Sequence, residues 1–208
     1  MIRIPRLYPI LDAGLLRQAG IPLEKFAREL HDAGIRFLQF RDKHGLDSEV
    51  LDQAALLRAI FPRPDCCLIL NDRVSLVSKA LFDGVHVGQE DLSPSDARAI
   101  LGPDALIGLS THSLDQLHGA NNGEADYMAF GPVFPTASKD KPDPTVGLDG
   151  VRAARSIAHK PLVAIGGITR ANCSAVFEAG VDSIAVISDL LPRAGEPVWK
   201  RVQELLLL

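Results

Sequence analysis

The sequence predicts an α/β protein, a (β/α)8 TIM barrel in one domain over residues 1–208, and three observations predict it. Short apolar runs alternate with amphipathic stretches from one end to the other. Eight such pairs follow one another, and their strand starts lie about 20–25 residues apart, the spacing of right-handed βαβ units. The length suits one such barrel. An open doubly wound sheet is built from similar units, and it is the eightfold repetition that favours closure. No linker, charge run or low-complexity block divides the chain.

The first strand is the run Leu7–Leu11. Between Pro22 and Ala33, Leu23, Phe26, Ala27 and Leu30 recur at helical spacing with Glu24, Lys25 and Arg28 between them, and Gly34 stops the helix. Ile35–Phe40 is the second strand. A helix over Ser48–Ile60, a strand over Cys66–Leu70, a short helix over Val74–Leu81 and a strand over Gly84–Val87 follow. The alternation continues with a helix over Ser95–Leu101, a strand over Ala105–Leu109, a helix over Leu114–Ala120 and a strand over Tyr127–Phe130. Beyond a long loop, Pro132–Val146, come a helix over Gly150–Ala158, a strand over Pro161–Ile165, a helix over Ala171–Ala179, a strand over Ser183–Ile187 and a terminal helix. A loop of that length inside a compact domain is functional or disordered as a rule. This one follows a strand, on the face where barrels keep their chemistry.

Lys and Arg together number 22 against 26 Asp and Glu, a formal net charge of −4, so the broad basic surface of a non-specific nucleic-acid binder is excluded. A local cationic pocket is not, because net charge reports on solubility and steering. Cys66, Cys67 and Cys173 form neither a disulfide framework nor a metal-binding CxxC pair, and the adjacent two sit in an apolar run as core or near-core residues. With no stretch of about 18 uninterrupted apolar residues and no signal-peptide pattern at the N-terminus, the expectation is a soluble cytoplasmic protein that binds small molecules, not nucleic acid or membrane.

The second strand runs into Gln39-Phe40-Arg41-Asp42-Lys43. With a period of two, Gln39, Arg41 and Lys43 share one face and Leu38 and Phe40 the other. In a barrel the apolar pair packs under the helices and the amide and two cations point towards the mouth, where Arg with Lys calls for an anion such as phosphate. The plainer alternative is a strand running out into solvent with a surface ion pair such as Arg41 with Asp42. After the third strand, Asn71 and Asp72 either cap the next helix or serve the site. Asp91 lies just past the fourth strand, and Asp72 and Asp91, from adjacent loops, are capable of sharing Mg2+, which takes one or two carboxylates plus water and substrate phosphate. His86, between valines, reads as a hydrogen-bonded barrel histidine, and His112 as a loop residue. Ser110 ends the fifth strand without a Gly-x-Ser-x-Gly elbow, so a hydroxyl donor to phosphate suits it better than a nucleophile. Thr136, Ser138 and Lys139 lie on the long loop. Gly166-Gly167 and Ile187-Ser188 close the seventh and eighth strands, where barrels frequently hold a phosphate on backbone N–H groups.

In this order the pieces Gln39–Lys43, Asn71-Asp72-Arg73, Asp83–Asp91, Gly108-Leu109-Ser110 with His112, Gly131-Pro132 through Thr136 to Lys139, Ala164–Ile168 and Val186-Ile187-Ser188 resemble the thiamine-phosphate synthase family. The resemblance extends from Leu7 to Leu190, nearly the whole chain. It implies a transferase that joins hydroxymethylpyrimidine diphosphate to a thiazole phosphate or its carboxylated form, releasing pyrophosphate. It further implies that Gln39, Phe40, Arg41, Asp42, Lys43, Asn71, Ser110 and Lys139 hold the pyrimidine diphosphate, with Arg41, Lys43, Ser110 and Lys139 acting on the leaving group. Asp72 and Asp91 would bind Mg2+, and Thr136, Ala137, Ser138, Gly167, Ile187 and Ser188 the thiazole phosphate. Ser138 stands where the family often has threonine, and Asp140–Pro144 is an insertion in the loop. The tautomerase branch of the same superfamily carries a histidine where this chain has Pro132 and lacks the full cation and magnesium set. A non-catalytic phosphate-binding barrel is the third reading, and it predicts binding without turnover.

Overall fold

The computed structural model describes residues 4–136, 143–192 and 196–206. Eight parallel strands close into a barrel: β1 Leu7–Asp12, β2 Phe37–Arg41, β3 Cys67–Asn71, β4 Gly84–Val87, β5 Leu106–Thr111, β6 Tyr127–Phe130, β7 Leu162–Ile165 and β8 Ser183–Val186. Closure is made by β1 against β8, with Leu7 opposite Ile184. Around them lie α1 Ala13–Gln18, α2 Leu23–Asp32, α3 Asp47–Ile60, α4 Pro94–Leu101, α5 Leu114–Ala120, α6 Gly147–Ile157, α7 Cys173–Glu178 and α8 Val198–Leu206. No helix among the described residues is long and apolar enough to cross a membrane.

Strand alternation divides the core in two. One side chain in two faces the helices, and these build the large outer cluster that includes Leu38, Phe40, Leu68, Leu70, Val85 and Val87. The others fill the barrel: Tyr8, Ile10, Phe37, Ile69, Tyr127, Ala129, Val163 and Ala185 pack as a separate inner cluster. The adjacent cysteines at the start of β3 fit this division, Cys66 just before the strand buried in the outer cluster and Cys67 half-buried against the inner one, where burial pushes its thiol up to about 12.

Two connections differ from the sequence reading. Helix α1 was not anticipated: it is six residues long and contains Gly14, so no periodicity reveals it, and Asp12 makes it possible by accepting the Leu15 N–H at 2.9 Å. After β3, the expected helix over Val74–Leu81 is a 3-10 turn at Val74–Leu76 followed by further turns. Its two valines lose rotamer freedom in a helix and its two serines compete for the backbone, while burial of Val74, Leu76, Val77 and Ala80 holds the segment down.

At the N-terminal face one device recurs three times. Asp83, Asp126 and Asp182, each just before an even-numbered strand, accept the N–H of Leu68, Ile107 and Leu162 on the preceding odd strand at 2.7, 2.8 and 2.8 Å. Each also pairs with an arginine, Arg58, Arg98 and Arg155 respectively, at 2.5, 2.8 and 2.8 Å. Charge at this end of the barrel is locally matched.

Candidate active site

The C-terminal face is arranged differently. Gln39 and Arg41 follow Phe37 on the inner face of β2, as the period of two requires. Gln39 is buried, and Arg41 emerges above it, held by the buried carboxylate of Asp12 at the end of β1. Lys43 extends from the loop beyond, half in solvent, with Nζ 3.8 Å from Asp72 Oδ2. Phe40 and Asp42 turn the other way. Phe40 packs beneath the helices, edge-on to Phe82, with no exposure. Asp42 takes two hydrogen bonds from Arg17, at 2.8 and 3.0 Å, and the N–H groups of His44 and Gly45, which hold its carboxyl below the usual aspartate range. The alternative pairing of Arg41 with Asp42 is therefore replaced by Arg41–Asp12 and Arg17–Asp42. Both Phe40 and Asp42 are left only backbone groups to offer a ligand at the mouth.

Asn71 and Asp72 do not cap the turn that follows, which has no side-chain cap. Asp72 instead adopts a left-handed backbone, φ 60°, uncommon for a residue with a side chain. Its carboxyl is close enough to feel the charge of Asp91, whose own Oδ2 accepts the Gly88 N–H at 2.7 Å. Burial and the nearby Asp91 raise the Asp72 pKa from 3.8 to about 6, although Lys43 and Arg41 pull the other way. Two carboxylates that repel each other in this manner are residues that could hold a divalent cation together with water and substrate oxygens. Among the described residues no group of three or more His, Cys, Asp or Glu is placed to hold a metal by itself.

Ser110, near the end of β5, lies 2.9 Å from His86 Nε2. His86 is enclosed in the barrel, and burial lowers its pKa to about 4, so the ring is neutral. The plain reading of His86 as a bonded barrel histidine thus matches its surroundings. The residues that sequence reasoning missed are its companions: Tyr8 and Tyr127, whose hydroxyls meet at 2.8 Å, and Asp12 behind Arg41. A tyrosine inside an apolar strand carries no signal that its hydroxyl will find a partner 119 residues away.

On the far side of the mouth, the loop after β6 runs alongside β7. Val133 N–H donates to Ile165 O at 2.9 Å and Phe134 N–H to Gly166 O at 3.0 Å. Gly166 and Gly167 have φ of 99° and 63°, and a Cβ on either would lie 2.4 Å from Pro132 or 2.5 Å from the Pro135 carbonyl, so only glycine permits this approach. Asp189 ties the loop after β8 to that after β7 by accepting the Arg170 N–H at 3.0 Å. Ile187 is half-buried and Ser188 exposed beside it; Thr136 is half-buried where the described loop stops. Ala137, Ser138 and Lys139 lie outside the described residues.

The mouth thus brings together two cations, two repelling carboxylates and a glycine turn at the end of β7. The family model described as thiamine monophosphate synthase matches residues 7–190. The chain belongs to that family. Among its relatives, the thiamine-phosphate synthase of Koribacter versatilis is 50% identical over 192 residues, covering 91% of this chain and 90% of the relative. That of Chloroflexus aurantiacus is 40% identical over 183 residues, covering 88% and 83%. The thiamine phosphate pyrophosphorylase structure from Pyrococcus furiosus superposes with a TM-score of 0.83 at 34% identity, covering 96% of this chain and 93% of that one. Membership of the thiamine monophosphate synthase family accounts for a site with cations and paired carboxylates but no activated nucleophile.

Proposed function

We propose that this thiamine monophosphate synthase family member joins hydroxymethylpyrimidine diphosphate to a thiazole phosphate, or its carboxylated form, by a dissociative transfer. The observation that carries the reading is a cluster of both charges at the mouth: Arg41 and Lys43 from the β2 end beside Asp72 and Asp91 after β3 and β4, with Lys43 Nζ 3.8 Å from Asp72 Oδ2. Either set alone is costly to desolvate, and a pyrophosphate with a divalent cation between them relieves both.

Asp72 and Asp91 are the residues that would hold Mg2+, and the ion, when bound, supplies positive charge against the pyrophosphate oxygens. Arg41, kept pointing at the mouth by Asp12, binds the diphosphate in a fixed orientation. Lys43 and, on the loop, Lys139 stabilise the charge that grows on the leaving group as the pyrimidine C–O bond breaks. Gln39, Asn71 and Ser110 contribute neutral donors along the same substrate, to which Phe40 and Asp42 add only main-chain groups. The C–O bond's electron pair leaves with pyrophosphate, and the amino-pyrimidine ring stabilises the benzylic-type cation that remains. The thiazole nitrogen then donates its pair to that carbon, forming the C–N bond. Gly167, Ile187 and Ser188, with Thr136, Ala137 and Ser138, would anchor the thiazole phosphate so that nitrogen, not water, captures the cation. Positioning of this kind contributes up to about 7–11 kcal/mol in the best cases. No general base is needed, and neutral His86 is not asked to be one. The three cysteines are free thiols, as befits a cytoplasmic enzyme.

The test is incubation of the purified protein with both substrates, with and without magnesium, while thiamine phosphate is followed. Product formed only with the metal is the expected result. Binding of both compounds without product, or conversion of a thiazole alone, would overturn the proposal in favour of a regulatory barrel or a tautomerase.

A further inference from the structure

Five side chains form one unbroken hydrogen-bonded series through the barrel interior, from β2 to β5. Gln39 Nε2 donates to the Tyr8 hydroxyl at 3.0 Å, and the Tyr8 and Tyr127 hydroxyls are 2.8 Å apart. The Tyr127 hydroxyl is 3.1 Å from His86 Nδ1, and His86 Nε2 is 2.9 Å from Ser110 Oγ. Each hydroxyl has one proton to give though it can accept twice, and a neutral imidazole has one donor and one acceptor nitrogen, so when each buried tyrosine proton is used within the series the direction set at one end runs through to the other. With Gln39 donating inward, Tyr8 donates to Tyr127 and Tyr127 to Nδ1. The ring proton is then on Nε2, where it donates to Ser110 Oγ, and the serine's own proton is left free.

We propose that His86 is a positioning residue: Tyr127 fixes its ring as the Nε2–H tautomer, and the ring aims the Ser110 hydroxyl proton out of the barrel at the pyrophosphate. This rests on the reading of Ser110 as a pyrophosphate ligand. A diphosphate presents only acceptors at this point, so a serine that gave its proton to the ring would meet the anion with lone pairs. The opposite direction along the series would prepare a nucleophile, for which the transfer has no use. Space for the device is reserved in the sequence by Gly108, since a Cβ there would lie 2.3 Å from His86 Nδ1 and 2.4 Å from the Tyr127 hydroxyl. No carboxylate is bonded to either ring nitrogen, which suits a neutral ring.

Nitrogen-15 NMR of the full chain reads the tautomer directly, the His86 signals being those missing from a His86→Gln sample among six histidines. A protonated Nε2 with a bare Nδ1 is expected; a protonated Nδ1 would overturn the proposal. In steady-state assays Tyr127→Phe, which keeps the ring and deletes the donor, should reduce kcat/KM for the pyrimidine diphosphate about tenfold. In a Ser110→Ala background the same change should cost less than about twofold, because its effect passes through the serine. Effects that multiply would show that Tyr127 and His86 act on packing alone. If Ser110→Ala by itself left kcat and KM unchanged, the assignment of Ser110 to the diphosphate would fail first, and the role of His86 with it.

Discussion

Replacing Asp72 by asparagine separates what the site costs from what it does. Asparagine is among the few side chains that tolerate the φ of 60° at this position, so the substitution removes charge and little else. Burial and Asp91 raise the carboxyl from 3.8 to about 6. A raised carboxyl pKa means that the folded state disfavours the ionised form. The metal-free protein is therefore destabilised at neutral pH, and it recovers that loss as pH falls through about 6 towards the unfolded value. At about 1.4 kcal/mol per unit the shift corresponds to about 3 kcal/mol. The Asp72 side chain retains 26% exposure, so about 1–2 kcal/mol is the amount to expect after screening. At about 2–4 °C per kcal/mol for a chain of this size, Asp72→Asn should melt roughly 2–8 °C above the wild type at pH 7 in EDTA. The gap should narrow below pH 6 and close near pH 4. Magnesium should raise the wild-type Tm but not that of the variant, and turnover of the variant should fall about 100-fold or more. A variant that melts at or below the wild type in EDTA at pH 7 would refute the view that these carboxylates strain the fold for the sake of a cation.

Three further substitutions probe the site and its supports. Gly108→Ala puts a methyl 2.2 Å from Tyr127 Cζ in a packed interior and should cost about 1–3 kcal/mol in urea denaturation, with a larger loss of activity than of stability. Asp83→Ala strips Arg58, Arg63 and the Leu68 N–H of their shared acceptor and should destabilise by about 2–3 kcal/mol while KM for both substrates stays the same, since it lies at the opposite face. Asp42→Ala releases Arg17 and two loop N–H groups; because the Asp42 pKa is lowered on folding, its cost should be full at pH 7 and disappear as pH falls below 3.8, which a pH series of melts would read.

The barrel was legible because its eight strands repeat one local rule, apolar residues at every second position with helix punctuation between. Leu38 and Phe40 outward, Gln39 and Arg41 inward follows from that rule alone. Asp72 and Asp91 come near each other because each follows a strand end, and neighbouring strand ends are neighbours in space. What escaped was non-local or too short to have a period. Helix α1 is hidden by Gly14, and the β3–β4 connection by valines and serines that favour turns. The orienting partners, Asp12 for Arg41 and Tyr127 for His86, come from strands 29 and 41 residues distant in sequence, where no motif joins them. Asp42 entered the site only through the family resemblance, and parity sends its side chain outward, to Arg17.

The two ends of the barrel use the same residue types to opposite effect. Before β4, β6 and β8, each aspartate meets an arginine and a strand N–H, so no charge is left wanting a partner and the end serves cohesion. At the other end, Asp72 is close to the carboxylate of Asp91 as well as to Lys43, whose ammonium is 3.8 Å away and half in solvent. The left-handed backbone of Asp72 and the fixing of Asp91 by the Gly88 N–H hold the two carboxylates together against that repulsion. On the proposed reading, a cation bound to a polyanion is what would relieve the repulsion between the two carboxylates while using the cations beside them.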